Sequence, residues 1–219
     1  LSASLPETKK KPREEFMKLY NSAMPAPNPR RVRIFAAEKG IDLPLEEVAL
    51  AKREHKSDAF REKNSLGQTP VLELDDGTPI SESVSICRYL EEIHPEKPLF
   101  GRSALERAQV DMWLRRVEFA LMAPVGNFWR HAHPYTAKVV KQFNEFGESN
   151  REGVAAAFRW FDRELEGKNF ILGDYFSIAD ITALCTVDFA AFAGLEMPDG
   201  TPHLHAWHAR VSSRPGAAA

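Results

Sequence analysis

The sequence predicts an α/β N-terminal domain built on a mixed four-stranded sheet, followed by an all-α C-terminal domain. Three observations carry that expectation. Residues 67–83 (GQTPVLELDDGTPISES) read as strand, turn, strand and helix start: Val71, Leu72 and Leu74 are apolar, Asp76-Gly77 is a strong hairpin signal, and Ile80 continues the return strand. His94 to Gly101 (HPEKPLFG) places two prolines and a glycine within eight residues, the composition of a domain boundary. Beyond it, every regular pattern has helical periodicity.

Taken in order, residues 1–16 are polar, with Lys9-Lys10-Lys11 and two prolines, and read as a leader or upstream extension without a catalytic role. Met17 to Tyr20 is a short strand. The loop from Asn21 to Pro29 holds three prolines and two asparagines, too much punctuation for a regular element. Val32, Ile34, Phe35 and Ala36 give the next helix an apolar face, and Gly40 closes it. A strand within Ile41–Ala49 and a polar loop passing into a short helix precede the hairpin. Val84 to His94 follows as a helix with Val84, Ile86, Cys87, Leu90 and Ile93 inward. This order, β-α-β-(α)-β-β-α, is that of a thioredoxin-like sheet with helices on both faces. The expected division is residues 17–97 for this domain and 103–214 for the helical one. In the latter, Ser103 to His131 forms one long pattern that Pro124 kinks or splits, Phe143 to Leu165 a second helix, and His203 to Ser213 the last. Between them Ser177-x-x-Asp180 is a capping box ahead of an apolar helix, so Asp180 is expected to be structural, with Asp180→Ala lowering stability by about 0.5–2 kcal/mol.

Length and composition bound the function. The chain has 219 residues, 43% hydrophobic and 27% charged, which is enough for a proper core and argues against disorder. The net charge of −2, from 29 basic and 31 acidic residues, gives neither a nucleic-acid footprint nor a polyanionic tail. No apolar run reaches the length of a membrane span. Cys87 and Cys185 lie far apart without a CxxC pair, so a reducing, cytoplasmic setting is expected.

Two features of the hairpin go beyond architecture. Pro70 cannot donate to a sheet ladder, so the chain at Thr69 presents its backbone groups elsewhere, as it would to a bound peptide. Ser81-Glu82-Ser83 puts hydroxyls and a carboxylate where a helix begins, and a helix N-terminus favours an anion. A peptide-like ligand bearing a carboxylate satisfies both.

Gln68-Thr69-Pro70-Val71, followed after the hairpin by Glu82-Ser83, resembles the glutathione-binding core of the cytosolic glutathione S-transferases, with theta, phi and Nu-like features, and the resemblance runs from Met17 to about Arg214. It implies a cis bond before Pro70 and glutathione as co-substrate, with no metal. In the implied site Thr69 pairs the cysteinyl part, Glu82 the amine and Ser83 the γ-glutamyl carboxylate, while His55, Lys56 and Gln68 surround the glycyl carboxylate. The activating residue departs from the family pattern: the serine of the theta and phi classes falls on Ala26, and no cysteine lies in the loop. Ala26-Pro27-Asn28-Pro29 is similar to the Thr-Pro-Asn-Gly of the Nu class, which makes Asn28 the first candidate to hold the sulfur and Ser22 the second; Asn28 is equally readable as a turn residue. The second substrate, a small hydrophobic electrophile, is expected between the domains against Arg116, Met122, Phe128, Trp129 and His131, with Tyr20 and Met24 closing the other side. The doublets Arg30-Arg31 and Arg115-Arg116 are expected on solvated faces or at dimer contacts. The resemblance also implies a homodimer. Conjugation, peroxide reduction and ether cleavage all remain open as reactions, as do a non-catalytic glutathione-binding protein and a glutathione-dependent isomerase.

Overall fold

A computed structural model describes residues 17–23 and 26–219. The predicted leader, residues 1–16, and Met24 lie outside the described residues. Four strands, β1 (Lys18–Asn21), β2 (Leu45–Glu47), β3 (Val71–Glu73) and β4 (Pro79–Ser81), form one sheet in the order β2-β1-β3-β4. β1 and β2 run parallel, while β1–β3 and β3–β4 are antiparallel. The sheet is therefore mixed and four-stranded.

Strand alternation sends neighbouring side chains to opposite faces. Leu19 pairs with Leu72, and both enter the main core with Val32 and Phe35 of α1 (Pro27–Lys39) and Ile86 and Leu90 of α3 (Ser83–Ile93). Tyr20 and Val71 point the other way and pack with Val48 and with Phe60 of α2 (Asp58–Lys63). Gly40 ends α1 in the left-handed region, φ 74°, its N–H bonded to the carbonyls of Ala36 and Ala37. Two 3-10 turns at Leu50–Lys52 and Glu54–Lys56 occupy the predicted polar loop, and Ser57 caps α2 by accepting from Phe60 N–H at 3.2 Å.

Buried charge fixes the junction with the helical domain. Lys39 Nζ lies 2.6 Å from Glu91 and also donates to the carbonyls of Glu96 and Lys97, while Glu91 accepts from the N–H groups of Leu99 and Phe100 at 2.8 and 3.1 Å. The long predicted helix is a continuous run in three parts: α4 (Ala104–Arg116), a π-helical segment (Val117–Met122) and α5 (Ala123–His131). Pro124 neither splits it nor ends it. Its missing N–H falls in the first turn of α5, immediately after the widened segment that absorbs the change of register.

α6 (Asn144–Leu165) packs along α5, where Gly147 permits a close approach: a Cβ there would lie 2.6 Å from the carbonyl carbon of His131. α7 (Ile178–Phe192) is almost wholly buried at the centre of the helical domain, and α8 (Pro202–Ser212) closes it. The Ser177 capping box is formed as expected. Asp180 also reaches outside its own helix, accepting from Ile171 N–H and from Trp207 Nε1 of α8, each at 2.9 Å. The chain from Arg214 to Ala217 then returns to α1. Arg214 bridges Glu38 through two bonds of 2.6 and 3.0 Å, and Arg30 donates to the carbonyl of Ala217. Among the described residues no helix is long and apolar enough to cross a membrane.

Candidate functional site

The elements converge where β1 ends, β3 begins and α3 starts. The Thr69–Pro70 peptide is cis, and Pro70 is buried. Among the described residues no backbone hydrogen bond uses the N–H or C=O of Thr69. Those two groups stand open beside the sheet, as a peptide lying along the chain requires. The Thr69 hydroxyl is 2.8 Å from that of Ser22, which is buried just past β1. Ser22, the second of the two sulfur candidates, is thus in contact with Thr69, the residue expected to pair the cysteinyl part.

Ser83 opens α3. Its N-cap, Glu82, carries no side-chain cap bond and has φ 66° and ψ 113°, a strained conformation for a residue with a Cβ. The first-turn N–H groups of α3 thus lack a capping side chain and the Glu82 carboxylate stays exposed. This geometry suits an ammonium at Glu82 and a carboxylate at Ser83. Arg31 of α1 supports it from beneath: Nη1 donates to Ser83 Oγ at 2.8 Å. Arg31 is only 3% exposed, so the solvated or dimer-contact role expected for this doublet is overturned. Arg30 is likewise engaged, 2.5 Å from Asp188 of α7, whose other oxygen meets His208 at 2.6 Å. Arg115 and Arg116 do remain exposed.

On the other side, His55 and Lys56 occupy the second 3-10 turn. Lys56 Nζ donates to the carbonyls of Leu66 and Gly67, at 3.1 and 2.6 Å, and so ties down the loop that leads to Gln68. His55 Nδ1 is buried without a partner among the described residues. Burial, reinforced by Lys56 and Arg53, lowers its pKa and so favours the neutral ring. Gln68 is exposed, and its carbonyl accepts from Asn64 Nδ2 at 2.8 Å. Gly67, not singled out from sequence, is indispensable here: its φ is +58°, and a Cβ would stand 2.5 Å from the His55 carbonyl oxygen.

Ala26 is the N-cap of α1 and offers no side-chain bond, while Pro27 and Pro29 remove two of the first-turn N–H groups. Asn28 lies between them, half-buried, in the first turn. It belongs to the helix rather than to the preceding loop. Both thiols are remote from such chemistry: Cys87 and Cys185 are buried, and desolvation pushes their pKa values up, to about 11 for Cys185.

The expected electrophile residues divide. Trp129 is half-buried, stacks on His133 and Tyr135 at 4.3 and 5.5 Å, and meets Phe189 of α7 edge-on. His131 is packed between Phe143 and Phe146, with Nδ1 buried and without a partner among the described residues. Met122 is partly buried against the core. Arg116 is exposed and lies over Trp113, 5.0 Å from the ring centroid. Two others are corrected. Phe128 is buried between α5 and α6 beneath Arg151 and is core. Tyr20 cannot close the pocket, because it sits on the α2 face of the sheet, against Phe60 and with its hydroxyl toward Glu73.

This fold joins a thioredoxin-like N-terminal half to a helical C-terminal half. Residues 26–93 match the N-terminal domain of glutathione S-transferase, and residues 128–215 match its C-terminal domain. The chain is 37% identical over 193 residues to glutathione S-transferase 2 of Saccharomyces cerevisiae, covering 86% of this chain and 83% of the yeast protein. It is 33% identical over 192 residues to human glutathione S-transferase theta-2B, covering 86% and 78%. The crystal structure of Gtt2 from Saccharomyces cerevisiae superposes with a TM-score of 0.84 at 35% identity, covering 91% of this chain and 98% of that one. A glutathione S-transferase domain-containing protein from Marinobacter aquaeolei gives 0.85 at 37% identity, covering 91% and 99%. The chain belongs to the glutathione S-transferase family.

Proposed function

We propose that the protein is a glutathione transferase that binds the tripeptide in the N-terminal domain, residues 17–97, and directs its thiolate at a small hydrophobic electrophile held against the helical domain, residues 103–214. The observation that carries this reading is the open backbone of Thr69 set beside the uncapped start of α3. Together they offer strand-like pairing for a cysteinyl residue and an anion site for the α-carboxylate of its γ-glutamyl neighbour. Glu82 takes the ammonium, and His55 with Lys56 takes the glycyl end. The sulfur then falls between Ser22 and the first turn of α1, near Asn28. Met122, Trp129 and His131 border the electrophile.

A non-catalytic glutathione-binding protein is the second reading. It is favoured by Ala26, which supplies no hydroxyl at the N-cap of α1. Conjugation, peroxide reduction and ether cleavage share the same thiolate and are separated by substrate. The proposed assembly is a homodimer, supported by an exposed stripe on α4 and the segment after it: Leu105, Met112 and Phe119 stand seven residues apart and are 68, 40 and 70% exposed.

Isothermal titration with glutathione, paired with turnover assays on a halonitrobenzene, an organic peroxide and an aryl ether, tests the proposal. Binding with turnover of at least one substrate is expected, and Glu82→Ala should weaken binding about 10- to 100-fold. Binding without turnover of any of the three supports the second reading. Absence of binding at millimolar glutathione removes both.

A further inference from the structure

We propose that the second substrate carries a carboxylate, bound by Arg130, with its apolar body seated in the recess that Gly126 leaves in the cleft face of α5. The inference rests on the glutathione transferase reading above and names the class of electrophile that site would take.

The register of the long helical run fixes which side faces the N-terminal domain. Glu118 of the π segment lies 3.6 Å from Arg31 of α1. Residues four apart share a helix face, so Met122, Gly126 and Arg130 continue the line from Glu118. The far end of that line is anchored independently. Burial lowers the pKa of Lys56, and the charges of Arg61, Arg53 and Arg130 lower it further, which sets Arg130 toward the 3-10 turn that carries His55 and Lys56.

Gly126 occupies the interior of a helix, where glycine is the weakest choice after proline. Neither usual reason for it holds. Its φ is outside the left-handed region, and a Cβ there would meet nothing within 4 Å among the described residues. Gly147, by contrast, is required by the close approach of α6 to α5. Gly126 is nonetheless half-buried, so its missing side chain leaves a recess in the wall, one turn from Met122 and from Arg130. Met122 and Trp129, both packed against the core, give that recess apolar sides.

Arg130 supplies the polar end. It is exposed, and its guanidinium forms no ion pair or hydrogen bond among the described residues. Lys56 has no carboxylate partner there either, since its Nζ is spent on the carbonyls of Leu66 and Gly67. Two cations thus share one end of the cleft with no acid paired to either, a repulsion that bound anions relieve. With Lys56 given to the glycyl end of glutathione, Arg130 is left for an anion on the second substrate, and its planar fork suits a carboxylate.

The test compares 4-chloro-3-nitrobenzoate with 4-chloro-3-nitrobenzamide, which share ring and leaving group and differ in charge. In each, the glutathione thiolate, its proton lost to solvent, attacks the carbon bearing chlorine; the C–S bond forms, the C–Cl bond breaks and chloride leaves with the electron pair. With each rate divided by the uncatalysed one, wild-type kcat/KM should favour the benzoate about 10-fold. In Arg130→Gln that preference should fall to within about twofold, with KM for glutathione unchanged, and Arg130→Lys should keep part of it. Gly126→Leu should lower turnover of both rings at least about tenfold while glutathione titrates as in wild type. A wild type that does not favour the benzoate, or a Gly126→Leu variant with wild-type turnover, overturns the proposal. So does an Arg130→Gln variant whose loss falls on KM for glutathione alike with both rings, because Arg130 would then serve the glycyl carboxylate. Glutathione binding without turnover of either ring also overturns it and leaves the peptide site standing. Failure of wild type to bind glutathione instead sinks the reading on which this rests.

Discussion

Asp180 is the residue whose replacement the structure lets one work out most fully. Its carboxylate is completely buried and accepts from Ile171 N–H and Trp207 Nε1 at 2.9 Å, from Ser177 N–H at 3.0 Å and from the Ser177 hydroxyl at 3.3 Å. Asp180→Ala leaves three buried N–H donors without an acceptor, at about 2 kcal/mol each or roughly 6 kcal/mol together. Against this, burial pushes the carboxyl from its ordinary 3.8 up to about 6 even with those donors in place. Holding it ionised at neutral pH therefore costs about 3 kcal/mol, which alanine recovers. The net loss centres near 3 kcal/mol, above the ~0.5–2 kcal/mol of a plain helix cap. Asp180→Asn keeps an oxygen for Ile171 and Trp207 and carries no charge, so it should stay closer to wild type. The sign with pH is specific. Between about pH 4 and 6 the folded protein holds a proton that the unfolded chain has released, so stability falls as pH rises through that window. Urea denaturation followed by tryptophan fluorescence, at one fixed protein concentration, should show wild type losing up to about 3 kcal/mol relative to Asp180→Asn from pH 4 to 6. A difference that is flat, or that grows in favour of wild type, would mean that the four donors outweigh desolvation and that the reasoning is wrong.

Other perturbations separate the site from the scaffold. Gly67→Ala places a Cβ 2.5 Å from the His55 carbonyl at a φ of +58°, so it should displace the Lys56-tied loop and weaken glutathione binding at least tenfold, measured by titration; unchanged affinity would remove this loop from the site. If the proposed homodimer forms, paired substitution of Met112→Lys and Phe119→Glu should convert it to monomer in analytical ultracentrifugation, since both residues lie on the exposed stripe; a persistent dimer would place the interface elsewhere, and a monomeric wild type would remove the proposed assembly.

Much of the fold was legible because its signals are local. Asp76-Gly77 announces the hairpin, Gly40 ends α1, and Ser177 with Asp180 starts α7, each through chemistry confined to a few neighbours. What escaped depends on partners distant in sequence. Pro124 marks a disturbance, but whether the helix breaks or widens into a π segment is settled by packing against other helices. At Tyr20 a four-residue strand shows alternation without saying which face the helical domain covers; the register beside Leu19, the partner of Leu72, decides that. Arg31 was hidden in the run Arg30-Arg31-Val32-Arg33, which reads as a solvated stretch. A usable signal was there: Arg31 lies four residues before Phe35, on the face that turns inward.

The absence of a hydroxyl at residue 26 then bears on rate less than it first suggests. A free thiol of pKa about 8.5 is roughly 3% ionised at neutral pH, so full ionisation gains at most about 30-fold, or some 2 kcal/mol. The N-terminal end of a helix contributes about 0.3–1 kcal/mol to a nearby anion when exposed and up to ~2 kcal/mol when partly buried. α1 has thirteen residues and neither an acidic nor a cap side chain at its start, but Pro27 and Pro29 take two N–H groups out of its first turn and leave the Asn28 N–H as the donor there. A contribution of about 1 kcal/mol would lower the thiol pKa by somewhat less than one unit and supply part of the available factor, with the Ser22 hydroxyl able to add to it. Lowering the pKa further would cost nucleophilicity, since thiolate reactivity falls with basicity. A small N-cap that leaves the helix start open to sulfur is, on this reading, an alternative to a hydroxyl donor, and the larger share of the rate comes from holding the electrophile against that sulfur.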